Sequence, residues 1–306
     1  MMSARFLTVV LERAFNMRDG FGREIDYMRI SVIDSCNLNC YYCNPCDNNE
    51  HCHALNILSV KEVLCIVRAA TRLGIKHFRL TGGEPLLHPQ LDEMVLQIKK
   101  IPGVSSVSLT TNAVLLAQHA KWLKEAGIDS INVSLDTIDA SEYERITKKP
   151  LLEEVKHGIN AAIECGIRVK INVVLTPQTD VVALTRYVAK KGTDIRFIEM
   201  MPVGEGHTNG VEPYKKVIGT LSKLYGEPCR INTEKTKEIN SGNDKRKIPD
   251  NGPAEYYIFP ELGIRVGLIQ AIHGKFCDTC NRIRVTADGR LMPCLGSSVT
   301  MDLVPD

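Results

Sequence analysis

The sequence predicts an α/β protein: a partial (β/α)6 TIM-like barrel followed by a smaller C-terminal α+β domain. Two observations carry this. Between Met28 and Met200, short apolar runs alternate six times with longer amphipathic stretches, the pattern of repeated βα units. After Met201 that rhythm stops. The strand runs fall at 28–34, 77–81, 104–110, 129–135, 168–175 and 194–199. Helical patterns such as 60–73, 91–99 and 181–191 separate them, and Gly74, Gly127 and Gly166 stand where a glycine closes a helix. Beyond the barrel, 203–210 is glycine-rich, 213–225 reads as a helix, and 234–250 as a polar, lysine-rich loop. Strand patterns return at 255–259 and 263–268, and 282–286 with 290–293 reads as a hairpin turned by Ala287-Asp288-Gly289. The expected division is an N-terminal extension over 1–27, the barrel over 28–202 and the second domain over 203–306.

The chain has 38 basic and 36 acidic side chains in 306 residues, a formal charge of +2, so no global field points to nucleic acid or anionic membrane. Its 44% hydrophobic and 24% charged content is that of a globular protein and excludes disordered or low-complexity scaffolds. No apolar run reaches the ~20 residues of a membrane span, and the opening stretch lacks a secretory pattern. A cytoplasmic location is expected. Neither nucleic acid nor membrane is expected as a partner; a homodimer is left open. The 11 cysteines fall short of the roughly 8–10% of a disulfide scaffold. In a reducing compartment, clustered cysteines more often bind metal.

Side chains alternate along a strand, so each barrel strand shows one parity to the helices and the other to the lumen. Phe78 and Leu80, Ile131, Val133 and Leu135, Val169, Ile171 and Val173, and Ile195 and Phe197 make the apolar faces. Opposite them sit Arg29 and Ser31, Arg79 and Thr81, Asn132 and Ser134, Lys170 and Asn172, and Arg196. A barrel filled only for packing carries branched apolar side chains inside; this one is lined with cations. Burying Arg29, Arg79, Lys170 and Arg196 without anions costs several kcal/mol per charge. The lumen is therefore expected to be wet and to hold an anionic ligand, unless these strands form a sheet edge with their cations in solvent.

Cys36, Cys40 and Cys43 stand as CxxxCxxC just after the first strand, at the rim where βα-barrel active sites sit. Three thiolates in one loop can hold three irons of a [4Fe–4S] cubane and leave the fourth open to a substrate. The alternative is a zinc loop completed by a fourth ligand, and Cys46 makes a further CxxC with Cys43. Cys277, Cys280 and Cys294 form a second triad. If Cys280 begins a strand, it shares a face with Arg282 and Arg284, whose planar guanidiniums suit phosphate. Here the alternative is a zinc knuckle with Cys229 or a histidine as fourth ligand.

The CxxxCxxC loop, with Thr81-Gly82-Gly83-Glu84-Pro85 at the end of the second strand, resembles the radical S-adenosylmethionine superfamily. Glycines admit close backbone approach, and the turn supplies acceptors for an ammonium. Gly82, Gly83 and Glu84 are thus expected at the methionine moiety of S-adenosylmethionine. Ordered matches from Gly22 to about Leu295 resemble one family within it, the GTP 3′,8-cyclases of molybdenum cofactor biosynthesis. They include Met28–Asp34, Phe78–Pro85, Leu109–Asn112, Ile131–Asp136, Lys170–Val174, Ile195–Glu199 and Phe276–Arg284. The resemblance implies two [4Fe–4S] clusters, GTP as substrate, an external one-electron donor, and a 5′-deoxyadenosyl radical that removes the C3′ hydrogen of GTP. It further implies that Thr111, Ser134 and Met201 line the S-adenosylmethionine pocket. Arg29, Arg79, Lys170 and Arg196 would hold triphosphate and ribose, while Arg282 and Arg284 govern GTP positioning and cyclisation.

Departures are visible too. Asn44-Pro45-Cys46 follows the third cluster cysteine where relatives carry Met-Pro, Cys52 lies beyond, and Ala113 replaces the glycine of Thr-Thr-Asn-Gly. Family members close on a tail with two glycines, whereas this chain stops at Val304-Pro305-Asp306. The alternative expectation is a paralogous two-cluster enzyme acting on another nucleotide or on a peptide.

Overall fold

A computed structural model of the chain describes residues 17–43, 56–202, 210–231, 252–297 and 299–303. Cys46, Cys52, Val304-Pro305-Asp306 and most of the glycine-rich and lysine-rich loops lie outside the described residues. The six strands of the βα rhythm are β1 (Tyr27–Ser31), β2 (His77–Thr81), β3 (Ser106–Thr111), β4 (Ser130–Ser134), β5 (Val169–Val174) and β6 (Asp194–Ile198). Helices α1 (Val60–Arg72), α2 (Leu91–Lys99), α3 (Leu116–Glu125), α4 (Ala140–Thr147), α5 (Leu152–Glu164) and α6 (Val181–Lys190) connect them. Side chains cap three of these helices at the start, Ser59 on α1, Asp139 on α4 and Asp180 on α6. Ser59 and Glu62 cap α1 reciprocally, and Gly74, Gly127 and Gly166 follow α1, α3 and α5 with φ between +68° and +90°. The helices bury one stripe, such as Val63, Ile66, Val67 and Ala70 of α1. Against it lies the apolar parity of the strands, Phe78, Leu80, Ile131, Val133, Ile195 and Phe197. Each large aliphatic or aromatic side chain so buried contributes about 1.5–3 kcal/mol.

The residues after Met201 add to the same sheet at both edges. Strand β9 (Arg265–Ile269) pairs parallel with β6, and β10 (Arg282–Val285) pairs parallel with β1. The result is a run of eight parallel strands. Antiparallel β8 (Glu255–Ile258) and β7 (Cys229–Ile231) extend it beyond β9, and β11 (Arg290–Met292) and β12 (Met301–Asp302) beyond β10. The expected hairpin is β10–β11, turned at Gly289 with φ +80°. The expected helix over 213–225 is a π-helical turn, Tyr214–Ile218, running into α7 (Gly219–Tyr225). Sequence periodicity did not reveal β7 or β12, which are too short to carry a pattern.

Register stacks the lumen parity in rows across the strands. The lowest row, at the N-terminal ends, is Arg282, Tyr27, His77 and Ser106. Above it lie Arg284, Arg29, Arg79, Ser108 and Ser130. Thr110, Asn132, Lys170 and Asp194 form part of the next row, and Ser134, Asn172, Arg196 and Gly267 part of the one above. The edge-strand explanation of these cations fails, because β1–β6 are all interior to the sheet and Lys170 and Arg196 are each 5% exposed.

Candidate active site

Cys36, Cys40 and Cys43 lie just beyond β1, at the C-terminal end of the parallel strands. Their loop is fastened to the end of α4, with Asn39 N donating to Thr147 O at 3.0 Å and Tyr41 N to Ile146 O at 3.1 Å. The Tyr42 hydroxyl donates to Asp136 at 2.5 Å, and Asp136 also accepts from Val174 N at 2.7 Å. The sulfurs sit close enough to disfavour one another's charge. Burial first, then Asp136, Cys43 and Cys36, push the Cys40 thiol up to about 12. Burial likewise raises Cys36 and Cys43. Such a loop holds thiolates only with positive charge among them. Donors are ready for a charged sulfur: Leu38 N is 3.4 Å and Asn112 Nδ2 3.8 Å from Cys36 Sγ.

The Gly82-Gly83 turn packs against this loop. A Cβ on Gly82 would stand 2.3 Å from Ile33 O, and one on Gly83 2.2 Å from Ser35 O. Both glycines are thus required by the chain's own backbone, which Gly83 N and Glu84 N bond through Ile33 O and Ser35 O at 2.8 and 2.7 Å. Glu84 and Thr111 meet at the end of β3, behind the turn. Glu84 is 1% exposed, and its carboxylate accepts from Leu86 N at 3.0 Å, Thr111 Oγ1 at 2.7 Å and Asn112 N at 2.7 Å. Burial outweighs these bonds and raises its pKa to about 7. Glu84 and buried Thr111 clamp the turn to the end of β3. Ser134 at the same end is exposed and Met201 half-buried.

The second triad lies at the opposite end. Cys277 opens a 3-10 turn over Cys277–Thr279, Cys280 is extended, and β10 starts at Arg282, beside Tyr27 at the start of β1. Strand β11 runs back along β10 with Met292 beside Arg284, so Cys294 returns to the level of Arg282. Arg282 and Arg284 share the face opposite buried Ile283 and Val285. Burial, then Arg282, lower the Arg284 pKa, with Cys294 and Cys280 opposing. Arg23 Nη1 donates to Cys277 O at 2.9 Å. Burial, then Arg284 and Arg79, bring Arg29 well below its ordinary pKa, and its buried Nε has no partner, nor has that of Arg282. Cations in this state call for an anion.

Residues 30–184 match the model of the Radical SAM superfamily, and residues 193–305 that of Molybdenum Cofactor Synthesis C. A GTP 3′,8-cyclase of Clostridium perfringens (strain SM101 / Type A) is 37% identical over 282 residues, 91% of this chain and 83% of that protein. Another, from Pelotomaculum thermopropionicum, is 38% identical over 294 residues, 94% of this chain and 86% of its own. The chain belongs to the GTP 3′,8-cyclase family. The fold is shared more widely. Streptococcus suis SuiB bound to S-adenosylmethionine superposes with a TM-score of 0.64 at 15% identity, over 91% of this chain and 63% of SuiB. The chain thus spans slightly under two thirds of that protein.

Like the rest of the radical SAM superfamily, this GTP 3′,8-cyclase family member uses a [4Fe–4S] cluster and S-adenosylmethionine. The first triad fits: three clustered sulfurs with N–H donors at Cys36, and a site that disfavours bare thiolates. Each thiolate of a cubane takes its own iron. Four further site residues escaped sequence reasoning. Asn112 bridges Cys36 and Asn37, Tyr42 and Asp136 brace the loop, and Gly267 makes room for Arg196. Asp136 and Asn112 lay within family-like segments, but nothing local marked their duty.

Proposed function

We propose that this chain converts GTP to (8S)-3′,8-cyclo-7,8-dihydroguanosine 5′-triphosphate, the first step of molybdopterin biosynthesis, using one electron from an external donor. The observation that carries the reading is the band of cations between the two cysteine triads: Arg282 and Arg284, then Arg29 and Arg79, then Lys170 and Arg196. A nucleoside triphosphate supplies the anion these rows require, and arginine forks bind phosphate bidentately.

Cys36, Cys40 and Cys43 would hold the first cluster, which with S-adenosylmethionine supplies a 5′-deoxyadenosyl radical when bound. Asn112 Nδ2 and Leu38 N stabilise the Cys36 thiolate, and the Tyr42–Asp136 bond fixes the loop. Ser134 and Met201, with Gly82 and Gly83, would line the S-adenosylmethionine pocket at this end of the strands. Cys277, Cys280 and Cys294 would hold a second cluster toward the guanine, with Arg282 and Arg284 orienting that end of the nucleotide. Arg29, Arg79, Lys170 and Arg196 hold triphosphate and ribose, and Asn172 Oδ1, accepting from Arg196 Nε at 2.9 Å, sets the angle of the last.

The test is an anaerobic assay of reconstituted protein with GTP, S-adenosylmethionine and a reductant. Deoxyadenosine and the cyclic nucleotide are expected together. Deoxyadenosine without GTP consumption would transfer the assignment to a paralogous radical enzyme acting on another nucleotide or a peptide.

A further inference from the structure

Four guanidiniums, those of Arg29, Arg79, Arg282 and Arg284, occupy the two lowest rows of the lumen, and none of the residues paired in those rows is acidic. Like charges so placed repel, and a long arginine side chain without an anchor swings away. One group in these rows opposes that. Tyr27 is 8% exposed, and its hydroxyl takes Nε of Arg79, whose Cζ lies 5.8 Å from the Tyr27 ring centroid. The ring stacks on His77 at 6.4 Å, and His77 Nδ1 is fixed by Ser106 Oγ at 2.8 Å. Arg79 Nη1 reaches Thr110 Oγ1 at 3.4 Å. Arg79 is thus held at its inner nitrogen and at one terminal nitrogen.

We infer that Tyr27 is a positioning residue for the polyphosphate of the substrate: its hydroxyl pins Arg79 through Nε, so that Arg79 and its row neighbour Arg29 face the phosphate chain together. The inference rests on the nucleotide reading above for the identity of the substrate. Electrostatics agree with the geometry. Burial raises the Tyr27 hydroxyl, but Arg79 and Arg29 outweigh it and lower its pKa, as follows for an oxygen faced by two guanidiniums.

The test is a double-mutant cycle on reconstituted protein, with inorganic tripolyphosphate as the probe. Its binding is measured by calorimetry for wild type, Tyr27→Phe, Arg79→Ala and the double variant, with S-adenosylmethionine binding measured in parallel to report on the opposite end of the barrel. Tyr27→Phe is expected to weaken tripolyphosphate binding on the order of tenfold, as for loss of a hydrogen bond to a charged group. In the Arg79→Ala background the same change should weaken it less than about twofold, because its effect passes through Arg79. With GTP as substrate, KM should rise more than kcat falls. Wild-type affinity in Tyr27→Phe, or full additivity of the two substitutions, overturns the inference. If the cycle shows the coupling while GTP is never consumed, the cyclase reading fails and the role of Tyr27 stands.

Discussion

Glu84 illustrates how a residue with a familiar chemistry acquires a structural duty. Three donors converge on its carboxylate, yet burial raises its pKa from 4.5 to about 7. The unfolded chain therefore releases this proton first. Between about pH 4.5 and 7 the unfolded state is ionised while the folded state still carries the proton, so stability falls as pH rises through that window and levels off above it. The span corresponds to roughly 3 kcal/mol. Glu84→Gln cannot ionise, and its amide N–H meets one of the three donors, at a cost of about 1–3 kcal/mol. Urea unfolding at pH 5 and pH 8 should show wild type losing more stability than the variant over this range, and the variant weaker at pH 5; equal slopes would show that Glu84 does not titrate in this window. At the first triad, Cys36→Ala should abolish deoxyadenosine formation, because an iron loses its thiolate. Deoxyadenosine from a well-reconstituted variant would contradict the assignment.

Among the elements, β9 shows why a glycine can sit in the middle of a strand. Such a glycine costs about 0.5–1 kcal/mol against alanine, and Gly267 has no left-handed φ to justify it. Space does. A Cβ there would lie 2.8 Å from Arg196 Cγ and 2.9 Å from Tyr256 Cε1. Gly267→Ala is expected to destabilise by about 1–3 kcal/mol through overpacking and to weaken GTP binding by displacing Arg196. Gly219, which opens α7, provides the contrast, because a Cβ added there would meet nothing within 4 Å. Gly219→Ala should stabilise by about 0.5–1 kcal/mol. Urea melts of both variants check the pair; if Gly267→Ala also stabilises, Arg196 is not held by that approach.

At the level of the whole molecule, the two triads stand at opposite ends of β1 and its neighbour β10. Five residues of strand separate them along the barrel, roughly 17 Å. A substitution at one end should therefore leave the chemistry of the other end in place. The combined Arg282→Ala and Arg284→Ala variant is expected to lose cyclic nucleotide by more than about tenfold while S-adenosylmethionine cleavage falls far less. Product and deoxyadenosine quantified in one anaerobic reaction decide it, and equal loss of both would argue against a substrate role. Among the described residues, no helix is long and apolar enough to cross a membrane.

Period-two and period-3.6 patterns are local, so the sequence alone located all six barrel strands to within a few residues, along with the inward parity of Arg29, Arg79, Lys170 and Arg196. Cysteine spacing is local as well, and both triads were legible for that reason. The tertiary structure decided what depends on pairing between distant segments. That β10 enters beside β1 and β9 beside β6, placing the triads at opposite ends, follows from hydrogen bonds across more than 60 residues of chain. No periodicity encodes such bonds. The same holds for Glu84 under Asn112, for Tyr42 on Asp136, for Arg196 over Gly267 and for Tyr27 beneath Arg79. Each is a contact between elements, fixed when packing brings two faces together and invisible in either segment alone.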